Sequence, residues 1–380
     1  MSLTDVFISP AGAGDNSGSS VANALPAISS GDWSTDIEAL DRQGKRFVWL
    51  SGTYNVTTQL TFSGSAPGNE QPNFWVGADS SGNVLRPKFD ETGLRLDTTD
   101  YPKIVMSNNT PILNAEEHTS YSCLSFENTN ASFSQTSIIE TTAGDTDIQH
   151  WFGCSFKAAP ANNNAQIMLA NNSSFHTCTF EATTTQYESV LDLRANSFAV
   201  NCRMIGGGTG IGGGDGHAVT TTATNTKVIS CVMCNVHGNG YTFNTTQTRA
   251  QPFVESCTIA NVGNNGLGLN SPNDNQSTNS AALNGNIFIG IGNNCVNANA
   301  DNGRQPGMLI AAMGDVTGSN FSNMDDYEDM VDVIAITSAD FYDSANNDLR
   351  IKRDSVLYKF YGDQNFGGIQ NEDFEFVSVS

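Results

Sequence analysis

Basic residues are scarce. Seventeen Lys and Arg stand against 39 Asp and Glu in 380 residues, a formal net charge of −22. A surface of that sign repels phosphate backbones and anionic headgroups, which argues against nucleic acid or a membrane as partner. It fits solubility in salt or docking onto a basic protein surface. No apolar run approaches the roughly 20 residues of a membrane span. The opening Met1-Ser2-Leu3-Thr4-Asp5 has neither the basic segment nor the apolar core of a secretory leader, so no export signal is expected. Charged residues make up only 15%, which is not the composition of a charged disordered chain. Long hydrophobic helical segments are missing, which removes an alternating strand–helix sheet from consideration.

Gly, Asn, Ser and Thr are abundant instead, with 36 Gly alone, and apolar residues amount to 38%. That mixture suits short strands joined by many turns. The cysteines reveal the order. They open a recurring phrase: Cys154-Ser155-Phe156, Cys178-Thr179-Phe180, Cys202-Arg203-Met204, Cys231-Val232-Met233 and Cys257-Thr258-Ile259, at intervals of 24, 24, 29 and 26 residues. Cys123-Leu124-Ser125-Phe126 is a looser first member. A period in this range marks stacked supersecondary units. Strand alternation puts Cys and the large apolar residue on one face, and Lys157, Glu181 and Arg203 on the other.

A second phrase keeps the same register. Asn235-Val236-His237-Gly238-Asn239-Gly240-Tyr241 matches Asn261-Val262-Gly263-Asn264-Asn265-Gly266-Leu267, with an echo at Ile291-Gly292-Asn293-Asn294-Cys295. Asn and Gly tolerate the left-handed backbone of a turn, and stacking of Asn235 on Asn261 would allow an amide ladder.

The fold expected is all-β: a right-handed parallel β-helix, a solenoid whose coils pair as parallel strands about 4.8 Å apart. Residues 46–310 supply the coils, about ten of them. An antiparallel sandwich would need a hairpin every 8–12 residues or so and would not predict the cysteine column. Open coil ends expose core and strand edges, so caps are expected. Thr35-Asp36-Ile37-Glu38 reads as a capping box opening a short helix, Asp36 to about Arg42, within an N-terminal cap at 1–45. Residues 311–380, where the repeat fades, read as an irregular C-terminal cap. Its aromatics, Phe341, Tyr342, Tyr358, Phe360, Tyr361 and Phe366, together with Leu357, also suit docking.

The opening Val6-Phe7-Ile8-Ser9-Pro10, followed by Gly12, Gly14, Asn16 and Gly18-Ser19-Ser20, resembles that of pectate-lyase-like β-helix proteins. So does Val48-Trp49-Leu50-Ser51-Gly52-Thr53-Tyr54. The closing Asn347-Asp348-Leu349-Arg350-Ile351-Lys352, then Ser355, Gly362 and Gly367-Gly368-Ile369-Gln370, is similar to the end of such proteins, including virion proteins of tailed bacteriophages. The resemblance implies the fold more than any one function.

Lyases and glycosidases use this fold. Gly216-His217-Ala218 and Arg350-Ile351-Lys352 resemble the Gly-His-Gly and Arg-x-Lys of polygalacturonase-like hydrolases. They lie 133 residues apart, roughly five coils or more than 20 Å, too far to share one sugar ring. Paired aspartates spaced for inverting hydrolysis are missing as a motif. If the chain is an enzyme, the expected catalytic group is Asp192, Arg194, Asp215 and His217 on neighbouring coils, with an Asp–His pair as acid and base; otherwise these are solvated polar residues.

Cys231 and Cys234, three apart on a strand, face opposite sides and cannot share a zinc ion. His237 is expected to be exposed in its turn. The acidic run Asp325, Asp326, Glu328 and Asp329 is a candidate calcium site or a solvated face. No cofactor is expected.

Two function classes follow. The first is a non-enzymatic structural virion protein of a tailed bacteriophage, a capsid decoration or short fibre protein on the virion surface. Its partners would be the major capsid or another virion protein, further copies of itself (a trimer) and a surface glycan. The second is a polysaccharide-degrading enzyme such as a phage depolymerase or a bacterial lyase. A secreted bacterial adhesin is a third, extracellular alternative.

Overall fold

The computed structural model describes residues 3–29, 32–33, 37, 41–61, 72–115, 118–141, 149–161, 165–208, 216–222, 225–244, 253–270, 285–298, 308–313, 331–344, 348–352, 354–355 and 357. Three stacks of parallel strands make a right-handed parallel β-helix, the hand that parallel crossovers adopt. One coil runs through three strands, for example Ser173–His176, Thr179–Ala182 and Ser189–Leu193, before Phe198–Val200 begins the next. The first sheet has ten strands and the second eleven. In the third, Leu113–Ala115 and Ile139–Thr141 precede six strands from Gln166–Ala170 to Val296–Ala298. A bond from Ile138 N–H to Ile167 O, 3.2 Å, carries the stack across that join.

Between the first and second sheets the chain turns on a single left-handed residue. Cys123, Gly153, Thr177, Asn201, Ser230, Ser256 and Gly285 form this column, with φ between 51° and 70°. The cysteines come next. Their register follows from Ser155↔Thr179↔Arg203↔Val232↔Thr258, which places Cys154, Cys178, Cys202, Cys231 and Cys257 one above another, all fully buried.

Each thiol serves the backbone of its corner. The N–H of Cys178 donates to Cys202 Sγ (3.4 Å), that of Cys202 to Cys231 Sγ (3.3 Å) and that of Cys231 to Cys257 Sγ (3.4 Å). Each of four thiols has two carbonyls within reach of its one proton: Cys178 has His176 O and Trp151 O, Cys202 has Val200 O and Phe175 O, Cys231 has Ile229 O and Ala199 O, and Cys257 has Glu255 O and Val228 O. Asn286 continues the column: Cys257 N–H donates to its Oδ1 at 3.0 Å, and its Nδ2 donates to Val254 O at 2.9 Å. An amide thus replaces a thiol with the same donor and acceptor roles. At the other end Leu124 takes the stack position, and Cys123 lies one residue earlier, on the left-handed corner, bonded to Leu85 O. All eight cysteines are free.

Beside the thiols runs the large apolar column Phe126, Phe156, Phe180, Met204, Met233, Ile259 and Phe288. Phe126 stacks on Phe156 at 5.6 Å and Phe156 on Phe180 at 4.9 Å, nearly parallel. From the first sheet, Tyr121 stacks on Trp151 at 4.0 Å, and Trp151 and Phe175 meet Phe156 and Phe180 edge-on. These inward rings form one continuous core.

The outer faces are treated unequally. Arg203 points outward as its parity requires but is only 1% exposed. The segment 85–97 crosses over it: Arg203 Nε donates to Gly93 O at 2.8 Å, the guanidinium lies 4.3 Å over the Phe89 ring, and Arg95 pairs with Glu181 at 3.0 Å. Further along the same face Ile205, Val232, Cys234, Ala260, Ile287 and Ile289 form a second buried cluster with Leu94, Ile336, Phe341, Leu349, Ile351 and Leu357. Cys231 and Cys234 accordingly lie in different cores, on opposite sides of one strand.

The parallel ladder runs past residue 310, the expected end of the coils, through Met308–Met313 and Val331–Ile336. The chain beyond them then returns along the outside of the second sheet. At the other end Thr4–Ser9 is itself a strand of the first sheet, paired with Lys45–Leu50. Ala24, Val48, Leu50 and Ala78 bury a small outer cluster there, packed with Phe7, Ala13, Val21 and Val76. In the expected helix at 36–42, Ile37 is helical and buried, Asp41 and Arg42 lie beyond the helix, and the other positions fall outside the described residues. So do Tyr358, Phe360, Tyr361 and Phe366.

Truncating Phe180 to Ala should destabilise the chain by about 3–5 kcal/mol, read from the denaturant midpoint, because Phe156 stacked on one side, Met204 on the other and Phe175 edge-on hold the cavity open. Cys202→Ala should cost about 1–3 kcal/mol, since it strips a buried N–H and a buried carbonyl of their partner.

Candidate functional site

The third sheet bears the most polar outer face. Register places Leu169, Asp192, Thr220, Thr242, Gly268 and Asn297 in one outward row along six coils. Asn114 and Glu140 pair in the two coils before them. A pocket of ≈ 300 Å³ opens in the earlier part, lined by Asn114, Thr136, Ser137, Ile139, Glu140, Thr141 and Leu169. Gln59 Nε2 donates to Glu140 Oε2 at 2.7 Å.

Asp192 lies one coil beyond Leu169 and is 2% exposed. Its Oδ2 accepts from Arg194 Nε at 3.1 Å and from Gln166 Nε2 at 3.3 Å, while Gln166 Nε2 also reaches Glu188 Oε2 at 3.2 Å. Three buried oxygens remain without a hydrogen bond among the described residues: Asp192 Oδ1, Gln166 Oε1 and Thr220 Oγ1. Asp192 Oδ1 and Gln166 Oε1 are acceptors, and the Thr220 hydroxyl can donate or accept. Burial raises the Asp192 carboxyl above its ordinary range, against the opposing pull of Arg194 and Gln166.

The expected catalytic group is only partly assembled. Asp192 and Arg194 form an ion pair. His217 is on the adjoining coil, but it pairs with Ser189, three positions before Asp192. That is about 10 Å along the strand. Its Nδ1 accepts the N–H of Asn239 at 2.9 Å, so that nitrogen is engaged by backbone. Asp215 and the acidic run Asp325, Asp326, Glu328 and Asp329 lie outside the described residues. Among the described residues no three His, Cys, Asp or Glu side chains converge as metal ligands.

Asn235 does lie over Asn261, both in left-handed conformation with φ 57° and 53°. The amide ladders lie elsewhere. One joins Asn239, Asn265 and Asn294 (3.2 and 3.1 Å), four residues further along the repeated phrase. Another joins Asn172, Asn196 and Asn225 (3.0 and 3.1 Å) at the turns leading out of the third sheet. His237 is half-buried, its ring edge-on to Tyr187 at 5.8 Å.

Gln166, Glu188 and Thr220 were not singled out from sequence. The signal was available in the alignment of Gln166–Ala170 under Ser189–Leu193 and His217–Thr221, which carries no cysteine to flag it.

The folded chain holds the Asp192 proton more tightly than the unfolded chain. Its contribution to stability is therefore present below the ordinary carboxylate value, near 3.8, and is lost as pH rises through the raised one. Thermal melts across that window should show wild type losing stability relative to Asp192→Asn. Parallel curves would remove the buried, proton-retaining carboxyl.

No family model matches the sequence, and no curated protein is detectably similar to it. Among solved structures, a crystal structure of pectate lyase Pel9A aligns over 98% of this chain and 97% of its own, with a TM-score of 0.47 and 11% identity. The fold itself rests on the strand order: three parallel sheets wound as one right-handed β-helix, the architecture that the opening and closing segments of the sequence resemble.

Proposed function

We propose that this chain is a non-enzymatic structural protein of a tailed-bacteriophage particle, a capsid decoration or short fibre protein that docks on another virion protein. The observation that carries the reading is the separation of Asp192 from His217. Acid–base catalysis needs its two groups within reach of one substrate bond. Here the carboxylate is tied to Arg194 and Gln166, and the imidazole is turned to the Asn239 backbone. The chain's chemistry goes into the ladder itself, through thiols, rings and amides that close the central coils. Such a rod resists unfolding and proteolysis, which suits a protein exposed on a particle. The acidic surface suits docking onto a basic partner.

The second reading is a polysaccharide-degrading β-helix enzyme. Its support is the furrow on the third sheet, where a pocket adjoins a carboxyl that burial raises above its ordinary range.

Purified protein incubated with pectins, alginates and host capsule should release neither reducing ends nor unsaturated products. Cleavage that Asp192→Asn or His217→Ala abolishes without unfolding the chain would establish the enzyme. Mass spectrometry of purified particles should find the chain at a stoichiometric level; its absence from them would overturn the virion assignment.

A further inference from the structure

The inward face of the first sheet is not apolar throughout. Two residues before the inward rings Trp75, Tyr121, Trp151 and Phe175, and on the same side of each strand, stand Asn73, Thr119, Gln149 and Ser173. Ser197 continues the column in the next coil. Register stacks all five at the corner where the third sheet gives way to the first. Each is at most 1% exposed. None is ionisable.

A buried polar column has to close its own hydrogen bonds. Its later part does so. Ser197 Oγ accepts the N–H of Ser173 at 3.2 Å and has Ala170 O and Ala195 O within reach of its proton, at 3.0 and 3.3 Å. Ser173 Oγ donates to Asn171 O at 2.8 Å. Hydroxyls serve this corner as thiols serve the other.

The early part is built differently. Gln149 Nε2 donates to Ala115 O at 3.3 Å, but Gln149 Oε1 has no hydrogen bond among the described residues. Two coils earlier Asn73 has none at either Nδ2 or Oδ1, and the indole Nε1 of Trp151 has none. Asn73 and Gln149 are two ladder steps apart, about 10 Å along the stack. The shorter side chain of Thr119 stands between them.

These atoms select their partner. Asn73 Oδ1 and Gln149 Oε1 accept, while Asn73 Nδ2 and Trp151 Nε1 donate. A cation would serve only the oxygens and an anion only the N–H groups. Either would also bring an uncompensated charge into a buried corner that holds none. The partner must donate and accept, carry no charge and fit a closed interior. Water meets all three conditions, and a buried water ordinarily makes about three such bonds.

We propose that the corner from Asn73 to Gln149 is a binding site for internal water, which does there what the hydroxyls of Ser173 and Ser197 do in the coils that follow. The site belongs to the scaffold and holds whether the rod is a virion protein or an enzyme.

Diffraction to atomic resolution from crystals of the full chain tests this. Water should lie within hydrogen-bond distance of the Asn73 amide and of Gln149 Oε1. Asn73→Leu adds a test of sign, since it replaces the amide by an apolar group of similar size. With water bound, the substitution takes away that water's partners and should lower the melting midpoint by about 2 °C or more. In a dry corner it removes two unmet polar atoms and should raise the midpoint. A map with no water at the corner, or with the Asn73 amide bonded to protein groups instead, overturns the proposal. A raised midpoint overturns it as well. Should the variant fail to fold, the wild-type map decides alone.

Discussion

Seven successive coils pass from the first sheet to the second through one left-handed residue, and the amide that follows must find a partner in a fully buried place. A buried donor left unbonded costs about 1–3 kcal/mol, and the corner recurs coil after coil. Sulfur from the next coil supplies the acceptor, and its own proton is within reach of two strand carbonyls, as Cys231 Sγ is of Ala199 O and Ile229 O. Cysteine meets the need with a small, largely apolar side chain, so the site also packs against Phe156 and its neighbours. Asn286 shows that the requirement is for a donor and an acceptor, with sulfur one way to meet it. Burial pushes the thiols of Cys178, Cys202 and Cys257 up, which keeps them protonated and able to donate.

The columns were legible in the sequence because they repeat. Cys178-Thr179-Phe180 lies over Cys154-Ser155-Phe156, and the interval alone fixes which residue stacks on which. The covering segments were not legible because nothing about them repeats. Arg203 is separated from Gly93 by 110 residues, and no pattern in 85–97 announces where it will lie. The outer apolar row had a visible trace: Val232 and Cys234 break the alternation of an otherwise half-polar strand. The Asn ladder was placed four residues early because both Asn235 and Asn239 recur, and sequence does not say which amide faces its copy. The environment of Asp192 escaped for a related reason. Gln166 and Glu188 reach it from other coils, and contact between long polar side chains depends on rotamers, not on period.

The three faces of the solenoid differ in what their strands carry outward. The second sheet is polar outward in its early coils and, from Ile205 and Val232 onward, apolar and buried on both sides. The third is polar outward, with a buried carboxyl set into it. The first changes along its length, covered at its beginning and, among the described residues, exposed at Phe152. A repeat architecture can vary the outer residue of each strand without disturbing the inner one, since successive side chains point to opposite sides. The interior is therefore nearly uniform, and individuality resides on the outside.

The cover on the second sheet bears on how the rod comes apart. In a simple solenoid each repeat touches only its neighbours, so the last coils can fray one at a time. Here the segment 85–97, from the early coils, reaches outward to Arg203, and Leu94 shares one buried cluster with Ile336, Phe341 and Ile351 from the far end. Peeling off the final strands would uncover Ile287, Ile289 and Val232 together. The ends are thereby tied to the middle, and partial opening gains little over complete unfolding. A quasi-one-dimensional stack has acquired the cooperativity of a compact domain.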